Sequence, residues 1–274
     1  MLYVLGEAWW ALDAAGPLDE AEAFRPRLSG SAALLAEAFA ARGGRCALLS
    51  QLGDDPFGHR IAAALADAGV DTSHLCFTPA ACTPLVFAGG GELLPCRHPS
   101  AELLYAPEQL PPRIFTLQDA LAFSSACLVD SPMRHAHLAA LTAARDTGAF
   151  TCFVPCLRPA LWPSAEDMAE TVRLFLPRAD VVVLDERELP PLFVTNEPRA
   201  ALWHLLRGHT QLVVLAGAEG VQIFTRERRA YRPGPCPSLE TLAAGVLHQL
   251  LAAGCSRQAL PKLTQTQLNE LLSF

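Results

Sequence analysis

The sequence has a single lysine, Lys262, and a formal net charge of −7. Its other basic residues are arginines spread along the chain. Nucleic acid needs a clustered basic face, so it is excluded as a partner. No apolar run approaches the roughly 20 residues that a membrane-spanning helix requires, which excludes membrane insertion. The opening "MLYVLGEAWW" lacks a basic segment and a small-residue cleavage site, so it reads as a first strand and not as a signal peptide. No C-x-x-C pair occurs among the nine cysteines. Most of them, such as Cys46, Cys127 and Cys152, lie inside apolar runs and read as buried reduced thiols of a cytoplasmic protein. The histidines show no ligand spacing: His135 and His137 are two apart on a helical pattern and diverge, so they make no metal site.

What is present is apolar and regular. The chain has 274 residues, 51% of them hydrophobic, enough for one large α/β domain over 1–274. Strand-like runs fall at Met1–Leu5, Cys46–Leu52, Ala120–Val129, Phe150–Pro155, Val181–Asp185, Leu212–Ala216 and Val221–Thr225. Helical patterns lie between them at Ser31–Arg42, Phe57–Ala68, Ala136–Thr147, Ala165–Leu176 and Pro198–Arg207. This alternation predicts a mostly parallel sheet with helices on both faces. Thr83–Ala88 and Leu93–His98, joined by "GGGE", predict a hairpin inserted at 83–98, the signature of a small β lid. A further helix begins in "PCPSLETLAAGVLHQLL", residues 235–251, with Ser238 as N-cap and Glu240 in the first turn.

The stretch "GGRCALLSQLGDDPFGHRIAAALADAGVDTSHL" (43–75) closely resembles the ribokinase-like, or PfkB, carbohydrate kinases. The likeness continues through "CRHPSAELLYAPEQL", "LRPALWPSAEDM", "ADVVVLDERELPPLF" and "VVLAGAEGVQIF", the second and third of which are most similar to fructokinases. It implies a doubly wound sheet with a β lid over a sugar. The implied reaction is magnesium-aided transfer of the ATP γ-phosphoryl to a sugar hydroxyl. Such chemistry needs an acid to take the hydroxyl proton and bare backbone N–H groups at a helix tip to hold the phosphoryl charge.

Laid on that pattern, the chain departs from it where chemistry is carried. The family's Gly-Ala-Gly-Asp falls on Pro237, Ser238, Leu239 and Glu240. Pro237 has no N–H, Leu239 is bulky, and the extra methylene of Glu240 displaces its acid by about 1.5 Å. The family's Gly-Gly pair and Asn fall on Ser29, Gly30 and Leu34, its N-terminal Asp on Ala11, and its Asp-x-Asn-x-Arg on Val154, Cys156 and Arg158. A segment that walls the adenine in the family is missing after Gly254. What remains is Asp185 and Glu188 for magnesium, Arg97 and Arg158 for sugar or phosphate, Gly30 beside the sugar, and the Gly217–Gly220 turn near the nucleotide. The expectation drawn from these losses is a pseudokinase with a binding, scaffold or regulatory role, needing no cofactor. Its alternative is an active Mg-ATP-dependent sugar or nucleoside kinase using Glu240 as base. A third reading is a small-molecule binder with an apolar pocket near Trp9, Trp10 and Leu34. The strand "TPLVFA" (83–88) predicts a homodimer formed edge to edge through the lid.

Overall fold

The computed structural model describes residues 1–97, 99–193 and 198–273. Its strands are β1 (Leu2–Leu5), β2 (Trp9–Asp13), β3 (Arg25–Ser29), β4 (Cys46–Gly53), β5 (Leu75–Thr78), β6 (Leu85–Gly89) and β7 (Glu92–Cys96). They continue as β8 (Ala120–Phe123), β9 (Phe150–Phe153), β10 (Val181–Asp185), β11 (Leu212–Gly217), β12 (Gly220–Phe224) and β13 (Arg229–Pro233). The helices are α1 (Ser31–Ala40), α2 (Pro56–Asp67), α3 (Pro132–Thr147), α4 (Ala165–Phe175), α5 (Leu189–Leu192), α6 (Pro198–Arg207), α7 (Leu239–Ala252) and α8 (Gln265–Glu270).

A nine-stranded sheet runs in the order β13-β12-β11-β10-β9-β8-β1-β4-β5. All its pairs are parallel except β11–β12 and β12–β13. Its central strands are almost continuously apolar because both faces are covered, with few polar positions such as Thr151 of β9. Leu2 and Val4 of β1 face a core built with α1, α2, α7 and α8, while Tyr3 and Leu5 face one built with α3, α4 and α6. The chain winds outward from β1 through β4 and β5, then returns to β8 on the other side of β1. That reversal opens a crevice at the carboxyl ends of the strands, the place where such sheets bind ligands.

Each predicted helix is present with ends shifted by a few residues; α3 starts four residues early, at Pro132. Ser238 caps α7 as expected, accepting from the Thr241 N–H at 3.2 Å. The run predicted as one strand over Ala120–Val129 stops at Phe123. Beyond it the chain turns: the Ser125 N–H donates to Pro155 O, and Leu128 N–H closes a turn on Ser125 O. Burial is complete there, so apolarity alone mimicked a longer strand.

The predicted hairpin exists as β6–β7, with Leu85 opposite Cys96. His98 at its end lies outside the described residues. It is half of a four-stranded sheet ordered β3-β2-β6-β7. This corrects the edge-to-edge expectation: β6 is paired on both sides, by β2 and β7, so "TPLVFA" has no free edge. The strands β2 and β3 gave no alternating pattern; "RPRLS" is Pro-containing and mostly exposed. Trp10 joins this sheet to the main body, its Nε1–H donating to Phe57 O at 3.1 Å.

Phe123 stacks on Phe153 with ring centroids 4.5 Å apart and meets the edge of Phe175 at 6.2 Å, tying two central strands to α4. Phe123→Ala is expected to lower the unfolding free energy by about 3–5 kcal/mol, read as an earlier urea midpoint at unchanged slope. A loss under about 1 kcal/mol would show that this stack does not hold the layer together.

Candidate active site

Five strand ends lie at or behind the cleft. After β1 comes Glu7, after β8 Ser124, after β9 the Pro155–Arg158 turn, after β10 Asp185–Glu188, and after β11 the turn to Gly220. The N-termini of α1 and α7 close it from one side.

Glu7 is wholly buried. Its Oε1 accepts the Ser31 N–H at 2.7 Å, and Ser124 Oγ donates to its Oε2 at 2.9 Å. It thereby caps the start of α1, which has no side-chain cap of its own. Burial pushes the Glu7 carboxyl up. Gly30 precedes the helix at φ +100°, where a Cβ would lie 2.7 Å from Glu7 O, so a glycine is required.

Glu240 sits in the first turn of α7 and is 8% exposed. Its Oε1 accepts from Ser31 Oγ at 2.9 Å and from Cys156 Sγ at 3.5 Å. Cys156 has φ +49°, an uncommon conformation for a residue with a side chain, and this aims its thiol at the carboxylate. Burial, then the charges of Glu240 and Glu188, hold that thiol well above its ordinary pKa, so it is an S–H donor. Sequence reasoning missed Glu7 and Ser31 and read Cys156 only as a lost amide. The one available signal was a serine directly after the Gly30 N-cap.

The cleft has two lobes that meet at Glu240. Under the lid, one is walled by Trp9, Ala11, Leu34, Val86 and Leu161. Against the sheet's far end, the other is bounded by Asp185, Arg187, Glu188, Pro237, Ser238 and Leu239. Cys156, Arg158 and Glu240 line both. Arg158 is exposed, donates from Nη1 to Leu157 O at 3.0 Å, and has no acid within ion-pair reach among the described residues. Leu239 also packs against the core on the α1, α7 side. Helix geometry leaves the N–H groups of Leu239 and Glu240 without an intrahelical acceptor, so the tip keeps donors that suit a phosphate despite Pro237.

The remaining predicted residues fall differently. Arg97 is fully buried with its Nε donating to Glu102 Oε1 at 3.0 Å and Nη1 to Ala126 O at 3.0 Å. Its guanidinium lies 5.4 Å from the Trp9 ring centre. It pins the end of β7 to the loop after β8 and does not line either lobe. Asp185 is held by Arg187 through 2.8 and 2.7 Å bonds. Glu188, whose carboxyl burial pushes up, accepts the N–H groups of Leu157 and Asp185 at 2.6 and 3.0 Å. These oxygens are committed, so the pair does not fit a ready-made set of direct magnesium ligands. No group of three or more His, Cys, Asp or Glu is placed to hold a metal among the described residues. Gly217 and Gly220 form the β11–β12 turn, fastened by Ala218 N–H to Glu186 Oε1 at 3.1 Å. Neither lobe is lined by any residue beyond Gly254.

The fold has known counterparts. The chain belongs to the pfkB family of carbohydrate kinases, whose sequence profile it matches over residues 2–245. A probable fructokinase-4 of Arabidopsis thaliana is 31% identical over 240 residues, covering 83% of this chain and 72% of that protein. Fructokinase from Xylella fastidiosa, solved with bound ATP, superposes with a TM-score of 0.88 at 26% identity, covering 100% of this chain and 90% of that one. Fructokinase from Vibrio cholerae O395, solved with fructose, ADP and calcium, gives 0.86 at 25% identity over 99% of this chain and 88% of that one. No helix among the described residues is long and apolar enough to cross a membrane.

Arg97→Ala leaves Glu102 buried without its cation, so a destabilisation of about 3–5 kcal/mol is expected in denaturant titration. Unchanged stability would return Arg97 to the list of ligand-binding residues.

Proposed function

We propose that this chain transfers the γ-phosphoryl group of Mg-ATP to a hydroxyl of a small sugar, with Glu240 as the base. The observation that carries this reading is position: among the described residues Glu240 is the one carboxylate lining both lobes. A hydroxyl held under the lid would reach its carboxylate from one side and a phosphoryl group from the other. The N–H groups of Leu239 and Glu240, with the α7 dipole, would meet the phosphoryl charge. Arg158, at the junction, adds a charge-assisted donor. Likeness to fructokinases crystallised with ATP or with fructose and ADP makes these the first ligands to try. Asp185 and Glu188 are spent on Arg187 and on backbone N–H groups, so no step is derived through magnesium.

A second reading, the retired kinase, draws on specific features. The lid lobe is apolar at Ala11 and Leu34, and Pro237 removes one donor from the helix tip. A hydroxyl-rich sugar would there forgo hydrogen bonds worth about 1 kcal/mol each. On that reading the fold serves binding or regulation with a protein partner. We further infer a homodimer that packs through the lid's outer surface, where Leu94 is 55% exposed. Light scattering at micromolar concentration should return twice the chain mass of 29.4 kDa. A monomer there removes the dimer.

The decisive measurement is ADP release with Mg-ATP and a panel of ketoses and ribosides. Turnover of about 1–100 s⁻¹ is expected, falling about 100- to 10,000-fold in Glu240→Gln. No acceptor-dependent turnover across the panel would leave the retired kinase standing, and calorimetry with ATP would then show whether nucleotide still binds.

A further inference from the structure

Glu240 is held by a residue from the other end of the chain. Ser31 opens α1, 209 positions away from it. Its backbone N–H is fixed on the buried Glu7 carboxylate at 2.7 Å, while its hydroxyl donates to Glu240 Oε1 at 2.9 Å. Glu7 is fixed in turn by Ser124 Oγ, at 3.1 Å to Oε1 and 2.9 Å to Oε2. The serine is therefore clamped at its backbone and has one short rotor left, which points at the acid. Cys156 approaches the same oxygen at 3.5 Å. Among the described residues no donor reaches Glu240 Oε2, and that oxygen is not sealed from solvent.

We propose that Ser31 is a positioning residue for Glu240: its hydroxyl ties down Oε1 so that Oε2 is the oxygen presented to the acceptor hydroxyl. The proposal rests on Glu240 acting as base. A glutamate side chain has one more rotatable bond than an aspartate, and an untethered carboxylate samples several placements. Misplacement of a reacting group by about 1 Å costs about 100-fold in rate. A donor anchored through Glu7 to the start of α1, at the edge of the lid lobe, removes that freedom. Because only Oε1 is engaged, the proton taken from the acceptor oxygen ends on Oε2, and the Ser31 O–H bond is neither broken nor formed.

The test compares wild type, Ser31→Ala, Ser31→Thr and Glu240→Ala with Mg-ATP and the best acceptor of the panel. Ser31→Ala is expected to lose about 10- to 100-fold in kcat, with acceptor KM within about twofold of wild type. Ser31→Thr, which keeps the hydroxyl, should recover most of that loss. A crystal structure of Ser31→Ala should show the Glu240 carboxylate displaced from its wild-type place. Loss of less than about twofold in kcat, with Glu240→Ala inactive, overturns the positioning role and leaves the base intact. An unmoved Glu240 carboxylate in Ser31→Ala overturns it whatever the rates. Full activity in Glu240→Ala, or a wild type with no turnover, removes the base and the proposal together.

Discussion

A carboxylate taken wholly out of water must be surrounded by donors, or its burial costs several kcal/mol. Glu7 is in that position, and the donors that satisfy it shape the cleft. The Ser31 N–H comes from the tip of α1, and the Ser124 hydroxyl from the end of β8. The reversal of strand order between β1 and β8 would otherwise leave a gap at their carboxyl ends. Glu7 bridges that gap from the end of β1 itself. It also sets where α1 begins, and α1 packs along α7. The tip that carries Glu240 therefore inherits its place from a residue that touches neither lobe.

The lid depends on a comparable buried charge. Arg97 reaches from the end of β7 into the loop after β8, and Glu102 neutralises it there. Trp9 lies over the guanidinium while also walling the lid lobe. A buried ion pair of this kind adds little net stability over an apolar replacement, yet it resists losing one partner. Its effect here is geometric: it holds the lid sheet against the main sheet with the apolar wall turned inward.

Sequence reasoning reached the layers and missed the connections. Parallel strands such as "VVVLD" are legible because burial on both faces makes them continuously apolar, and the cap at Ser238 is legible because N-cap chemistry is local. β2 and β3 were not legible: their pairing is with each other and with β6, far along the chain, and their composition follows the cleft instead of a period. Glu240 could be placed from its spacing within a helix start. Its partners could not, because Ser31 and Cys156 meet it only through the fold. Leu239 was read as an obstruction at the helix tip. Its side chain also has the core to pack against, so the leucine subtracts less from the proposed anion site than its bulk implies.

Four arginines stand around the cleft, and their fates differ. Arg97 is committed to Glu102, Arg187 to Asp185 and Arg27 to Asp13. Arg158 alone of these has no carboxylate partner among the described residues, and it lines both lobes. An anion entering beside Glu240 would meet repulsion of about 4 kcal/mol at 4 Å in a medium of surface-like dielectric. The free N–H groups at the α7 tip and the uncommitted guanidinium are what offset it. On the proposed reading, the acid can stand next to a phosphate because the helix tip keeps its donors and one arginine was left out of the ion pairs that build the walls.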